Sequence, residues 1–256
     1  VRRSQAMYAL ALILTILRGW QLQAPAPAVP LIRLHVYVPF DFVGSNNAPD
    51  FVLYSNGVAI YQIEDSIVAT VDTEAVYPTF ATSRLDSATI ANLRSLATSP
   101  GFLALGPRYD LDPQGTEWDI NILQVWTGPS MKRVWVRGPP ARWPTPFASL
   151  FAAVSHFHQP DERPWHPDSI EIELTRVEQP CLETDPVQWP TELSIPNTLR
   201  DSSVVRYRVP YRQLPVVQSV WRASRNYSCT PIAIGHSDWL LWYRYPFPGE
   251  SAWYPL

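Results

Sequence analysis

Proline recurs throughout this chain and limits how far any regular helix can run. There are 27 prolines but only 10 glycines among the 256 residues. Proline fixes φ and has no backbone N–H, so it interrupts helices and central strands and favours turns. We therefore expect a helix-poor fold of short elements joined by stiff turns. The chain is long enough to bury a full hydrophobic core in one or two domains.

The first thirty residues have the order of segments found at the start of exported proteins. Arg2 and Arg3 precede an apolar run over residues 6–17, and a Pro-rich segment over 24–30 follows. Basic residues before an apolar stretch indicate a signal peptide or a signal anchor. The side chains expected to lie in the bilayer are those of Met7, Leu10, Leu12, Leu14, Leu17 and Trp20.

We expect this leader to be retained as a membrane anchor. A small-residue cleavage pattern is present within residues 24–30, but three prolines interrupt it. Trp20 favours the membrane interface, and a helix extended to Leu22 would be short against the roughly 20 residues of a typical span. The alternative is a cleaved signal peptide with a mature start at Val29.

Composition excludes nucleic acid as a partner and indicates a bacterial source. The formal net charge of −3 provides no basic surface for a nucleic acid. Lys132 is the only lysine among 20 basic residues of the Lys and Arg types, a bias typical of GC-rich bacterial genomes. The 11 tryptophans and 12 tyrosines either build the core or include a contact surface for a partner.

The two cysteines, Cys181 and Cys229, are expected to form a disulfide. An even pair of cysteines in an exported protein favours this interpretation. A disulfide that closes the loop between residues 181 and 229 would stabilise the fold by about 3–4 kcal/mol, by the entropy lost from the unfolded chain. Two buried free thiols are the alternative.

Hydrophobic patterning predicts an α+β fold. Hairpins build an antiparallel sheet, two helices cover one of its faces, and a Pro-rich β subdomain follows. Asn56 and Gly57 predict a two-residue type I′ turn between two strands. The helices begin at Asp86 and at Thr145, and a half-buried strand follows over 170–174. The other expected strands and hairpins lie at 34–38, 67–72, 119–137, 204–209, 216–222 and 239–245.

Three regions follow from this patterning. Residues 1–30 are the N-terminal anchor or signal segment with its linker. Residues 31–179 form an α+β extracytoplasmic domain. Residues 180–256 form a β extension rich in proline and aromatic residues.

The histidines and the acidic segments do not assemble a motif for metal binding. His156 and His158 are two residues apart, so on a helix they point to different faces, and His166 follows a Pro-rich turn. The segment 110–115 resembles the start of a calcium loop but has Gln114 at position 5, so we interpret it as a turn.

We predict no catalytic, cofactor-binding or metal-binding residue. Ser237 lies between His236 and Asp238, but neighbours in sequence rarely form a catalytic triad, which is defined by geometry. Glu171 and Glu173 alternate with apolar residues and are expected on the solvent face of their strand.

Several segments resemble those of exported bacterial α+β domain proteins that have no known activity. The resemblance covers most of residues 33–256 and implies an extracytoplasmic α+β domain, with no functional residue to carry over. The segments are Asp50–Val58, the helix ending before Phe102, the hairpin at 119–137, Arg163–Pro167, Trp189–Pro190 and Pro246–Glu250.

These observations predict a non-enzymatic, membrane-anchored protein of the bacterial cell membrane, with the bulk of the chain periplasmic. It would be an accessory or structural subunit of a membrane protein complex, for example a respiratory or photosynthetic one. Its partners would be other protein subunits and the membrane, with no nucleic acid and no cofactor. Two alternatives stay open: a free periplasmic or secreted binding protein for a small ligand or peptide, and an exported hydrolase with a dispersed site.

Overall fold

A computed structural model describes most of the chain from Val29 onward. The described residues are 29–37, 48–63, 79–115, 118–177, 185–196, 199, 202–225 and 230–250. Cys181, Cys229, the six anchor positions and the strand expected at 67–72 lie outside these ranges and stay predictions. Within the described ranges, no helix has the length and apolar character needed to cross a membrane.

Strands dominate the fold and form two sheets, both mostly antiparallel. The strands of the first sheet are β1 (Pro30–Tyr37), β2 (Phe51–Tyr54), β3 (Val58–Gln62), β4 (Phe80–Arg84), β5 (Arg108–Asp110), β6 (Ile120–Thr127), β7 (Ser130–Arg137) and β8 (Arg163–Trp165). Their spatial order is β5-β7-β6-β1-β2-β3-β4-β8. Within this sheet β5 and β7 run parallel.

The second sheet has five strands and contains the remaining β segments. They are β9 (Ser169–Arg176), β10 (Val187–Gln188), β11 (Val204–Pro210), β12 (Ile232–Ile234) and β13 (Ser237–Arg244). Their spatial order is β10-β12-β13-β9-β11. The pair of β10 and β12 is parallel, and the other pairs are antiparallel.

Four α-helices are described. They are α1 (Ser87–Ala97), α2 (Pro100–Leu103), α3 (Thr145–Val154) and α4 (Leu214–Arg225). Short 3₁₀ turns occur at Pro140–Arg142 and Tyr211–Gln213. Asp86 caps α1 as predicted, because its Oδ1 accepts a hydrogen bond of 2.7 Å from the Thr89 N–H.

The first core lies between one face of the first sheet and helices α1 to α3. Alternate residues of β1 such as Ile32 and Leu34 point to this face, as period-2 patterning requires. Leu93 of α1 and Phe147 and Leu150 of α3 pack against them and are at most 2% exposed. Each such side chain contributes about 1.5–3 kcal/mol by leaving water.

The second core joins the opposite face of the first sheet to the second sheet and α4. Val52 and Ile60 belong to it, together with Ile172 of β9 and Trp221 of α4. The segment after β13 connects the two sheets, because the Phe247 ring lies 5.2 Å from the ring of Phe80 in β4. One continuous apolar cluster therefore spans both sheets.

The hairpin of β2 and β3 is present, but its turn differs from the expected type. Leu53 pairs with Ala59, and the Gly57 N–H donates to the Tyr54 carbonyl at 3.0 Å. The loop therefore has three residues, and Gly57 takes a φ of +79°. This is the arrangement of a turn followed by a left-handed glycine, so the prediction of a two-residue type I′ turn was wrong.

The strand predicted at 216–222 was also wrong, because this segment is part of helix α4. Val216 and Val217 favour β structure locally, because β-branched residues are common in strands. The buried positions instead repeat at helical spacing, at Leu214, Val217 and Trp221. Pro215 is compatible with this helix, because the first turn needs no N–H from it.

Candidate binding groove

An open groove lies at the β10 edge of the second sheet. Its volume is about 460 Å³. The described residues that line it are all uncharged. The main apolar contributors are Trp189, Pro190, Leu193, Ile195 and Ile234, with Gly235 at the turn after β12.

Backbone pairing and one buried leucine hold the wall of this groove in place. The Val187 N–H donates to the Pro231 carbonyl at 2.9 Å, which fixes β10 on the sheet. The Trp189 Nε1–H donates to the Leu193 carbonyl, also at 2.9 Å. Leu193 is 2% exposed and belongs to the second core. The loop is therefore folded back on itself, with the Trp189 ring half-buried beside the groove.

The groove suits an apolar side chain or an extended peptide. Ile195 at its rim is 47% exposed, so its side chain is accessible to a segment bound in the groove. Gln188, Thr191 and Ser194 supply neutral hydrogen-bonding groups. Lining of this kind can orient a bound segment, but it contains no titratable group that could move a proton.

Sequence reasoning placed Glu171 at the solvent face, and the structure corrects this. Glu171 is 7% exposed and its Oε2 accepts from Arg244 Nη2 at 2.7 Å. A second carboxylate, that of Glu250, lies 2.9 Å from Arg244 Nη1 and 3.2 Å from Arg33 Nη2. Arg33 belongs to the first sheet, so this neutral set of two arginines and two glutamates ties the sheets together.

The turn after β13 delivers Glu250 to this buried network. The Phe247 N–H donates to Glu250 Oε2 at 3.0 Å, and the Glu250 N–H donates to the Phe247 carbonyl at 3.1 Å. Both arginines and Glu250 are at most 3% exposed at their side chains. The alternation of Glu171 and Glu173 with apolar residues in β9 was visible in the sequence, but the burial of Glu171 depends on how the sheets pack.

Glu173 is more exposed than Glu171 and so agrees better with the expected position on the solvent face. Its side chain is 16% exposed and lies 2.5 Å from Arg206 on the neighbouring strand β11, whose side chain is 48% exposed. This ion pair faces solvent and therefore contributes little to stability.

A cluster of titratable side chains that sequence reasoning missed lies beside α3. The Tyr61 hydroxyl donates to Glu162 Oε2 at 2.9 Å, and His158 Nδ1 is 3.5 Å from the same oxygen. Burial raises the pKa of Tyr61 to about 12, which keeps the phenol protonated. Burial opposes ionisation of Glu162, but hydrogen bonds from Tyr61 and the Gln159 N–H lower its pKa. The cluster fastens the segment after α3 to the first sheet.

His156, His166 and His236 occupy separate surface positions. His166 stacks on Tyr211 and its Nδ1 lies 2.8 Å from that hydroxyl. His156 and His236 are exposed. In the described part of the chain, no three His, Cys, Asp or Glu side chains are grouped so that they could hold a metal ion.

In the two remaining candidate segments, the side chains of Asp112 and Ser237 make structural hydrogen bonds. Asp112 Oδ1 accepts from the Gly115 N–H at 3.2 Å, and its Oδ2 accepts from Trp118 Nε1 at 2.8 Å, so this carboxylate closes a turn. Ser237 Oγ accepts from Arg176 Nη2 at 2.9 Å across the sheet.

His35 and Asp50, which lie near the C-terminal end of β1, have displaced pKa values. Burial lowers the pKa of His35 from 6.5 to about 4, although a hydrogen bond of its Nδ1 with the Ala48 carbonyl opposes this. Burial raises the pKa of Asp50 to about 7, although its Oδ2 accepts from the Val36 N–H at 2.6 Å. Both groups therefore favour their neutral forms.

Comparison with known proteins found no similar protein. No protein-family model matches the chain, and neither does a curated protein or a solved structure.

Proposed function

We propose that this protein is a non-enzymatic, membrane-anchored extracytoplasmic subunit that binds another protein of a bacterial membrane complex through the groove at the β10 edge. The predicted anchor lies over residues 6–22, and the groove belongs to the second sheet. The observation that carries the proposal is this groove, with the half-buried Trp189 and the exposed Ile195 at its rim.

The shape of the groove favours a protein segment over a small metabolite. Sites for small molecules enclose most of the ligand surface and place a few directed polar groups around it. This groove is open, its described lining is neutral, and it lies beside the short edge strand β10. An extended segment of a partner can lie along such an edge while an apolar side chain enters the hollow.

A matched pair of substitutions tests the groove. Ile195 and Val204 are both exposed aliphatic residues of the second-sheet region, with 47% and 40% exposure, and Val204 begins β11 at the opposite edge. Because both side chains are exposed, Ile195→Asp and Val204→Asp should each leave folding nearly unchanged. Only the first places an unpaired carboxylate in the groove.

The measurement is the amount of partner that copurifies with the tagged full chain after mild detergent extraction of native membranes. A photo-crosslinking residue at position 195 or 204 identifies the protein in contact. We expect one membrane protein to crosslink from position 195 and not from 204, and Ile195→Asp to reduce its recovery about tenfold, the effect of roughly 1.4 kcal/mol. Equal crosslinking from positions 195 and 204, or equal recovery of the partner with both Asp variants, would show that the partner does not bind in the groove. A lone monomer found in the soluble periplasm would favour a free peptide-binding protein instead.

A further inference from the structure

Several loops of the first sheet meet at the end where the described chain begins. We call this the entry end and define it by Val29, the turn 55–57, Arg84 and the hairpin residues 126–132. Pro30 pairs with Tyr54, and Thr127 pairs with Ser130, so the strand register brings these segments to one end of the sheet.

Exposed apolar side chains are present at this end. Val29 is 51% exposed and Met131 is 45% exposed. Met131 pairs across the hairpin with Trp126, whose indole is half-buried and lies 5.5 Å from the Arg33 guanidinium carbon. Single exposed apolar residues are common on proteins, so their position at the point of chain entry is what gives them meaning.

The chain is fixed to the sheet where it enters. The Ser55 N–H donates to the Val29 carbonyl at 2.8 Å, and the Val29 N–H donates to Ser55 Oγ at 3.3 Å. These two bonds hold the entry point beside the turn 55–57. Any tension from a preceding anchor is therefore applied at the entry end and not in the middle of the sheet.

The length of chain between the predicted anchor and Val29 is short. Val29 lies seven residues after Leu22. At about 3.1–3.6 Å per residue, this stretch of chain spans at most about 25 Å. Strand β1 has eight residues and carries the sheet about another 25 Å away from that point. With residues 6–22 in a bilayer, this length keeps the entry end within about 25 Å of the lipid, whereas the opposite end of β1 can lie up to about twice as far away.

We propose that the entry end lies on the phospholipid surface, where Val29, Met131 and Trp126 contact the interface. This inference rests on the proposed function, because it requires the anchor to be in the bilayer. Tryptophan and flexible apolar side chains are favoured at this depth, since one part of each remains near water. The contact would fix the orientation of the groove relative to the membrane.

The charged groups of the entry end are compatible with a lipid surface. Arg84 is exposed and can approach headgroup phosphates. The Lys132 amine donates to the Leu105 carbonyl. The Asp86 carboxylate accepts from the N–H and the hydroxyl of Thr89, which lowers its pKa and directs its charge toward the start of α1.

The test places a fluorescent amino acid at position 131 or, as a control, at position 141. Ala141 is exposed in the 3₁₀ turn after β7, beyond the opposite end of the strand. The full chain is reconstituted in vesicles of phosphatidylethanolamine and phosphatidylglycerol that carry a nitroxide on a fraction of the headgroups. Flotation of the vesicles reports anchoring, and quenching reports the distance of each position from the lipid surface.

The outcomes separate the two proposals. Flotation with severalfold stronger quenching at position 131 than at 141 supports the contact. Flotation with equal quenching overturns it and leaves the anchored subunit intact. A chain that does not float overturns both, because the sheet then has no bilayer to meet. As a second measurement, Met131→Asp with the label at Ser130 should reduce quenching while flotation persists, and Ala141→Asp should change neither.

Discussion

The network of Arg33, Glu171, Arg244 and Glu250 is the most consequential set of side chains in the described chain. Its charges are buried and balanced, so its energetic value depends on every member being present. Glu250 contacts both arginines as well as the Phe247 N–H. Removing its charge would leave two guanidinium groups facing the single carboxylate of Glu171.

We therefore predict that Glu250→Gln destabilises the protein by about 3–5 kcal/mol. The matched control is Glu173→Gln, which removes the same charge from the partly exposed pair with Arg206 and should cost less than about 1 kcal/mol. Chemical denaturation of both variants measures the difference. Equal losses would show that the buried network does not hold the two sheets together.

The displaced pKa values of His35 and Asp50 predict opposite dependences of stability on pH. The unfolded chain protonates His35 below pH 6.5, whereas the folded chain resists protonation until about pH 4. Its contribution to stability is therefore complete above pH 6.5 and lost as pH falls to 4. Asp50 binds its proton up to about pH 7 in the folded state, so its effect lowers stability as pH rises from 4 to 7.

The variants His35→Asn and Asp50→Asn separate these two contributions. Asparagine can keep the hydrogen bond with Ala48 in the first variant and the one from Val36 in the second. Relative to the unmodified chain, His35→Asn should gain stability as pH falls from 6.5 to 4, by up to about 3 kcal/mol. Asp50→Asn should gain stability as pH rises from 4 to 7. Unfolding curves at three pH values check both slopes, and slopes of the same sign would contradict the assignment.

Among the elements, helix α4 shows best where sequence patterning fails. Its valines favour a strand locally, but burial at Leu214, Val217 and Trp221 has helical spacing, and the helix covers one face of the second sheet. Trp221 makes an edge contact of 6.0 Å with Tyr243 of β13. Tertiary burial therefore overrides a weak β preference.

Ser219 tests this helix, because it is exposed on α4. Ser219→Ala should raise stability by a few tenths of a kcal/mol, since alanine is the better helix former. Ser219→Pro should lower stability by about 3 kcal/mol, because proline breaks a helix interior. Thermal unfolding of both variants is the measurement. A destabilising alanine together with a tolerated proline would contradict a helix here.

Turn chemistry at the β2–β3 hairpin gives a further prediction. Gly57 has a φ of +79°, and a Cβ added there would lie 3.1 Å from the end of the Ile90 side chain. Gly128 has a φ of +70° and would have no atom within 4 Å. Both glycine-to-alanine variants should cost about 1–2 kcal/mol from backbone strain. Gly57→Ala should be the worse of the two, as unfolding midpoints will show.

The sequence predicts those elements whose pattern lies within the element itself, and it misses features that depend on contacts between distant segments. Helix α1 carries its own periodicity and its own cap, Asp86, so the sequence was sufficient for it. For β2 and β3 the sequence indicated two strands around Gly57, but the turn type was wrong. Strands β5 and β8 have three residues each and are defined by pairing alone. The burial of Glu171 and the groove beside Trp189 depend on contacts between segments far apart in sequence, which no local pattern contains.

At the scale of the whole molecule, we propose an anchor in the bilayer, an entry end on the lipid surface and a groove on the second sheet that binds a partner. If residues 6–22 form the proposed anchor, the seven residue steps from Leu22 to Val29 limit how far the domain can extend from the membrane. The predicted disulfide between Cys181 and Cys229 belongs to the same account of an exported protein. Free-thiol titration of the denatured chain should find no thiol, whereas two thiols would contradict it.

The fate of the leader is the most direct test of the central claim. The full chain is expressed with its leader in a bacterial host, the cells are fractionated, and the intact mass of the protein is measured. We expect a mass that includes residues 1–28, recovery in the membrane fraction, and digestion of the domain by protease added to spheroplasts. A mature protein that starts at Val29 and is recovered from the soluble periplasm would contradict the membrane-anchored subunit.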